Sequence, residues 1–234
     1  MATQLRVIDY SSLKQRVIDE AERDDIGSQV EAFIYEAEAE MWQDLRLRVM
    51  QRRYTTLTQD SRYITLPDRY LDMYRVYIMS NGKPKNLIPA SPAELLAKYG
   101  SGQGIPDYFG VTGLEVEFER NPGKDNEVEM TFYQAPYNLG YQAGQAELGT
   151  SPAKIPPDEL DENNVVISNK VLKLFPHIYV YGTLIKVGLW TSDQEMVLKY
   201  NNVYDMAVAK ANRNAREGRV TGGPLSPLNR VGSP

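Results

Sequence analysis

The sequence contains no cysteine, which removes disulfides, thiolate catalysis and cysteine-ligated zinc or iron–sulfur sites together. It has a single histidine, His177, so an imidazole-based metal site or proton relay lacks a second member. No apolar run approaches the roughly 18 residues that a bilayer span needs. The opening residues, MATQLRVIDYSSLKQ, lack the apolar core and small-residue cleavage site of a secretory leader. The expectation is a soluble protein made in a cytoplasm, with no membrane association. Basic excess is also lacking: the net charge of -5 argues against a general nucleic-acid binder, because phosphate neutralisation depends on clustered lysine and arginine. Glycine and proline, 17 and 14 of 234 residues, lie near average usage and exclude both collagen-like and globally disordered chains.

What is present is a hydrophobic content of 42%, enough for a sizeable core. Residues 28–52 predict a long helix, since Val30, Phe33, Ile34, Ala37, Met41, Leu45 and Val49 recur at three- and four-residue steps. Ser28 with Glu31 reads as its capping box, and Arg46, Arg48, Arg52 and Arg53 as its dipole-compensating end. A shorter helix is expected over about 11–24, starting at Ser11 or Ser12. From Tyr54 the period changes to Thr-, Tyr- and Val-rich alternation broken by QDS, NGK and NPGKDN, which predicts five or six strands with a hairpin at Asn81-Gly82 and a short helix near SPAELLAKYG. Residues 137–162 show no period and read as a long flexible loop. Helices are expected again at about 164–174, 176–190 and from Ser192 to about Arg216, the last with a Ser192/Glu195 capping box. Residues 217–234 have the Gly, Pro and Ser content of an extended tail. The fold class is α+β: a helical bundle formed by both chain ends (1–53 and 163–216), an inserted antiparallel β-domain (54–136), the 137–162 loop and the C-terminal tail. Charge is uneven along the chain. Lys210, Arg213, Arg216, Arg219 and Arg230 face only Glu217 after Met206, so the C-terminal end is basic and the remainder acidic.

Candidate chemistry is sparse. His177 follows Pro176 in LFPHIYVYGTLIKVGLW, where Pro176 suits the first turn of a helix and makes a corner after Phe175. The helix it opens is apolar almost all round, which places it at the centre of a bundle, with Gly182 permitting a close neighbour. His177 therefore reads as structural. GSGQGIPDYFG lacks the lysine and Ser/Thr of a phosphate loop and reads as a turn. DELDEN, 158–163, lacks the ligand alternation of a calcium loop and reads as an exposed acidic stretch. Glu36, Glu38 and Glu40 read as a solvated or pore-facing acidic stripe, Glu38 lying across the helix from the other two. No catalytic residue, cofactor or metal ligand is assigned. The 16 tyrosines are expected mainly in the core and in subunit contacts.

The order of motifs is informative. RVMQRRYTTLT is followed by YITLPDRYLDMYRVYI, NGKPKNLIPASPAELL, GIPDYFGVTG, EVEMTFYQAPY and NKVLKLFPHIYVYGTL, with Asn169, Pro176, Tyr179, Tyr181 and Gly182 carrying the closing motif. Over residues 28–205 this resembles the head-to-tail adaptor proteins of tailed bacteriophages, of the short-tailed-phage type. The resemblance implies a structural virion protein of the neck between capsid and tail, assembled in the host bacterial cytoplasm. It further implies a homo-oligomeric ring of twelve subunits that joins the portal protein to tail, nozzle or fibre proteins, with genomic DNA passing through the channel without sequence-specific binding. In that setting Arg213, Arg216, Arg219, Leu225, Leu228 and Arg230 are expected to dock on the portal. Two readings compete. One is a glutamate-based peptidoglycan-cleaving enzyme associated with the adaptor; the other is a carbohydrate- or nucleic-acid-binding β-module using tyrosines such as Tyr133 and Tyr137 as stacking platforms.

Overall fold

The computed structural model describes residues 6–80, 82–99, 102–143 and 155–221, with side chains described as far as Arg216. The chain divides into two compact units, Gln51–Ala135 on the one hand and Met1–Met50 with Pro136–Pro234 on the other. The class is α+β, as expected from the change of hydrophobic period.

In the helical unit, α1 (Tyr10–Ala21) starts from a reciprocal cap. The Asp9 carboxylate accepts the Ser12 N–H at 2.8 Å and the Ser12 hydroxyl accepts the Asp9 N–H at 3.0 Å. α2 (Val30–Asp44) buries Val30, Phe33, Ile34, Ala37 and Met41 on one face. The expected helix over 28–52 is corrected at both ends. Ser28 forms no capping box: Gln29 is the N-cap, and a turn built on the Ile26 carbonyl, which accepts the Gln29 and Val30 N–H groups at 2.8 and 3.0 Å, leads into the helix. The helix stops at Asp44 because Leu45, Leu47 and Met50 are all buried, a spacing of two and three that no single helical face provides. A 3-10 turn, Arg48–Met50, follows, and Arg52 and Arg53 belong to a strand.

Past the β-rich unit, the expected helix over 164–174 is reduced to α4 (Lys170–Leu174). The β-branched run Val165-Val166-Ile167 prefers extended pairing, Val165 with Gln142 and Val166 with Leu160. The helix waits for Asn169, whose side chain accepts the Leu172 N–H at 2.9 Å. Pro176 is the first residue of α5 (Pro176–Thr191), which packs against α1, α2 and α4 and against α6 (Gln194–Thr221). Neighbours on several sides explain why its sequence is apolar almost all round. The Ser192/Glu195 capping box is also corrected. Ser192 adopts the left-handed conformation (φ 59°) that closes α5, so the cap of the next helix falls to Asp193, whose carboxylate accepts the Met196 N–H at 2.9 Å. Of the expected loop over 137–162, residues 144–154 lie outside the described residues. Its two flanks pair with each other: the Ala143 N–H donates to the Asn164 carbonyl and the Val166 N–H to the Tyr141 carbonyl, at 2.8 and 2.9 Å.

The other unit contains eight strands among the described residues, where five or six were expected. They are β1 (Gln51–Gln59), β2 (Tyr63–Thr65), β3 (Tyr70–Ser80), β4 (Lys83–Asn86), β5 (Ile88–Pro89), β6 (Tyr108–Thr112), β7 (Glu115–Phe118) and β8 (Lys124–Gln134), with α3 (Pro92–Ala97) between β5 and β6. The additional strands β2 and β5 are two or three residues long, too short for alternation to show in the sequence. Two four-stranded sheets form, ordered β1-β8-β3-β4 and β2-β7-β6-β5, antiparallel throughout except for the parallel β5–β6 pair. Val76, Ile78, Val128, Met130 and Phe132 from the first sheet and Phe109, Val116 and Phe118 from the second enclose one core. The hairpin between β3 and β4 pairs Ser80 with Lys83, and Gly82 has the positive φ (73°) that such a turn demands. In the glycine-rich stretch, Gly100 lies outside the described residues. Among the described residues beyond it, Gln103 bridges Asn121 and the chain enters β6 at Tyr108 with no helix between, so none opens there to receive a phosphate.

Candidate functional site

The closing motif is where the helical unit is tied together. Asn169 caps α4 with its carbonyl oxygen and donates its amide to the Tyr179 hydroxyl at 2.7 Å. Tyr179, wholly buried, donates in turn to Glu38 Oε1 at 3.0 Å and meets Trp42 edge to face at 6.2 Å. Tyr181 stacks on Tyr200 of α6 at 6.0 Å. Gly182 stands where α2, α5 and α6 meet, with the Tyr204 ring and Ala37 at 3.4 and 3.6 Å from where a Cβ would stand, the separation of ordinary contact. Pro176 fixes the corner into α5. All five motif residues thus act on packing rather than on an open surface.

Glu38 is the residue that the sequence reading misplaced. It was expected in a solvated acidic stripe, yet it is 0% exposed, while Glu36 and Glu40 of the same helix are exposed. The Leu139 N–H donates to both its carboxyl oxygens at 3.1 and 3.2 Å, and Tyr179 supplies the second donor. Burial pushes its carboxyl up to about 8, against the smaller downward pull of those two donors. Tyr10 on α1 is pushed up to about 12 by burial and by Glu31 and Glu38. Glu40 pairs with Lys186 of α5.

His177 is half-buried between the rings of Phe175 and Tyr181, at 6.4 and 6.1 Å. Burial and the neighbouring Lys210 both lower its pKa, so the imidazole is neutral near pH 7. Among the described residues no group of three or more histidine or carboxylate side chains has the arrangement of a metal site. In DELDEN, Glu159 is buried rather than exposed, Asp158 pairs with Lys173 at 2.7 Å, and the Asp161 side chain accepts the Asn163 and Val165 N–H groups at 2.9 and 2.8 Å. The stretch builds a turn. Tyr133 is buried and offers no ring face to a sugar or base, while Tyr137, partly exposed, has one ring face stacked on Tyr141 at 5.1 Å.

Exposed apolar and basic side chains lie on α5 and α6. Leu189, Trp190 and Leu198 are 57%, 51% and 65% exposed, beside a groove of about 390 Å³ floored by Gly188 and Val197. Further along α6, Arg213 and Arg216 point to solvent while Ala211 and Ala215 are buried. This end of α6 is anchored by Asn212, a residue with no sequence signal. Its side-chain oxygen accepts the Arg46 N–H and its amide donates to the Asp44 carbonyl, both at 2.8 Å, satisfying backbone groups freed where α2 ends. The Arg219 side chain and residues Leu225, Leu228 and Arg230 lie outside the described residues. No described helix is long and apolar enough to cross a membrane.

Comparison with known proteins adds one finding. A family model described as SU10 adaptor protein matches residues 8–228. No curated protein matches the chain.

Proposed function

Because the chain belongs to the SU10 adaptor protein family, a family of phage head-to-tail adaptors, we propose that it assembles as a twelve-membered ring between the portal and the tail or nozzle proteins, continuing the channel through which DNA passes. The observation that carries this reading is the extent of the family match, which takes in both compact units and the basic end of α6. A ring needs laterally complementary faces that repeat around an axis. The exposed Leu189, Trp190 and Leu198 beside a groove support such a contact, since exposed apolar patches mark association surfaces. Arg213 and Arg216, with Arg219, Leu225, Leu228 and Arg230 after them, form the segment that engages the portal. The role is structural, with no reaction catalysed. The acidic character of the remaining chain keeps the conduit from holding the genome.

Electron microscopy of the protein mixed with portal tests the proposal. A ring capping the portal's narrow end is expected, and a protein that stays monomeric in the presence of portal overturns it. Incubation with purified cell walls addresses the enzymatic alternative: unchanged turbidity is expected, and progressive clearing reverses the assignment.

A further inference from the structure

The strap of residues 137–143 is held onto the helical unit by contacts that converge on one buried acid. The Leu139 N–H reaches the Glu38 carboxyl. Next to it the Trp42 indole donates to Asn138 Oδ1 at 3.0 Å, and the Asn169 amide reaches the Tyr137 carbonyl at 3.4 Å. Gly140 donates its N–H to the Val166 carbonyl at 2.8 Å and takes a positive φ of 82°, and a Cβ there would stand 3.3 Å from the Tyr10 ring. Glu38 belongs to α2 and Tyr179 to α5, so a single carboxyl joins two helices to the strap.

We propose that the Glu38 carboxyl is a proton-operated latch: neutral, it holds the 137–143 strap against α2 and α5, and loss of its proton releases the strap. The Glu38–Tyr179 contact joins two oxygens, so either O–H can bridge it while the carboxyl is protonated, and the site then carries no charge. Ionisation puts a full negative charge on a side chain that is itself wholly buried and that only two donors, both neutral, face. The titratable groups around the latch do not relieve that charge. α1 contributes Tyr10, α2 contributes Glu31 through its effect on Tyr10, α5 contributes Tyr179, the turn at Pro157–Glu159 contributes Glu159 through its effect on Tyr179, and the strap itself carries Tyr137 and Tyr141. Glu31 and Glu159 are acids, and the α1 cation Lys14, which lies 4.5 Å over the Tyr10 ring, is already paired with Glu31 at 2.8 Å. No cation contributes to the Glu38 ionisation, which burial moves up to about 8. Water or an opened strap is the remaining way to solvate the carboxylate. The Leu139 and Tyr179 donors favour the carboxylate, but burial outweighs them, so the ionised group gains by opening to water, and that opening costs the Leu139 bond, which Asn138 and Gly140 flank in sequence.

The inference stands apart from the adaptor reading and is tested on the isolated full-length chain. The two tryptophans are Trp42 and Trp190, so W190F leaves Trp42, which touches both the strap and Tyr179, as the fluorescent reporter. Its emission is followed from pH 5.5 to 9.5, with amide exchange of 137–143 corrected for the intrinsic pH dependence of the chemistry. A one-proton transition with a midpoint near the Glu38 value of about 8 is expected in both signals. It should vanish in W190F/E38Q and move to higher pH in W190F/Y179F, which deletes a donor to the carboxylate. An unchanged transition in E38Q, or no transition in the folded protein, overturns the latch. If circular dichroism shows that E38Q does not fold, Y179F decides, and an unmoved midpoint there overturns it equally.

Discussion

Tyr179 and Glu38 lie 141 residues apart in the sequence, yet their oxygens are 3.0 Å apart in the interior, the phenol donating to the carboxyl. This pair makes the first half of the chain dependent on the second. It also places an ionisable group where the folded state favours its neutral form, and that has a thermodynamic consequence.

The Glu38 carboxyl titrates at about 8 in the folded state, against 4.5 for a free side chain. The folded protein therefore binds more protons than the unfolded chain between those values, and stability falls as pH rises through that window. Its contribution is complete below the unfolded value and lost as pH passes the folded one. Denaturant melts at pH 5, 7 and 9 should show a steady decline, with a limiting slope of about 1.4 kcal/mol per pH unit from this group. E38Q should flatten the profile and exceed the wild type at pH 9. Parallel profiles for the two proteins would contradict the assignment.

Two glycines of α5 should respond oppositely to the same substitution. A Cβ at Gly182 would meet the Tyr204 ring at 3.4 Å, ordinary contact, and alanine gains about 1 kcal/mol of helix propensity over glycine. At Gly188 the added carbon would lie 2.9 Å from a Val197 methyl and 3.2 Å from the Val197 backbone nitrogen, and that backbone cannot retreat without moving the start of α6. G182A should leave the melting temperature level or raised. G188A should lower stability by about 1–3 kcal/mol, the range for overpacked sites. Equal effects at the two positions would show that the α5–α6 corner is looser than it looks.

Pro176 illustrates what could be read without coordinates: its ring presets the first turn, and it begins α5 where expected. The α+β class was equally legible, because a period of 3.6 gives way to alternation and then returns. Local cues failed where a distant partner decides. Glu38 looks like a surface acid until the buried Tyr179 hydroxyl and the Leu139 N–H are seen to reach it. The helix over 28–52 looks continuous until the chain beyond Met50 is seen paired, Gln51 with Tyr133 and Arg53 with Thr131. Ser192 carries a capping-box signature, but only two residues separate α5 from α6, and reversing the chain there consumes Ser192 in a left-handed conformation. Five candidate motif residues were legible as a pattern; their shared task, joining helices, was not, because it depends on Glu38, Trp42 and Tyr204.

Asn212 should prove to be the anchor of the basic end of α6. Replacing it with alanine removes two hydrogen bonds to backbone groups at the end of α2 and leaves the Arg46 N–H and Asp44 carbonyl to water. The expected cost is about 1–2 kcal/mol. It should be accompanied by faster amide exchange over 208–216, with residues 176–190 unaffected. Uniform loss of protection along both helices would mean that Asn212 supports the unit globally and not the end of α6.

The basic end of α6 provides the sharpest separation between folding and docking. Arg213 and Arg216 are exposed, and surface substitutions away from buried features stay within about 0.5 kcal/mol each, so R213E/R216E should fold and melt almost as the wild type does. Under the proposed function the same change sets two like charges against whatever acidic surface the portal presents. Co-sedimentation with portal should weaken at least tenfold near physiological salt, and the gap between variant and wild type should narrow as salt rises and screens the charges. Truncation after Arg216 removes the remaining docking segment together with the last turn of α6 and should abolish capture while leaving the cooperative thermal unfolding transition in place. Full portal capture by either protein would relocate the docking surface, with the apolar groove beside Leu189 and Leu198 next to be tested, because an association driven by buried apolar area should be indifferent to both changes.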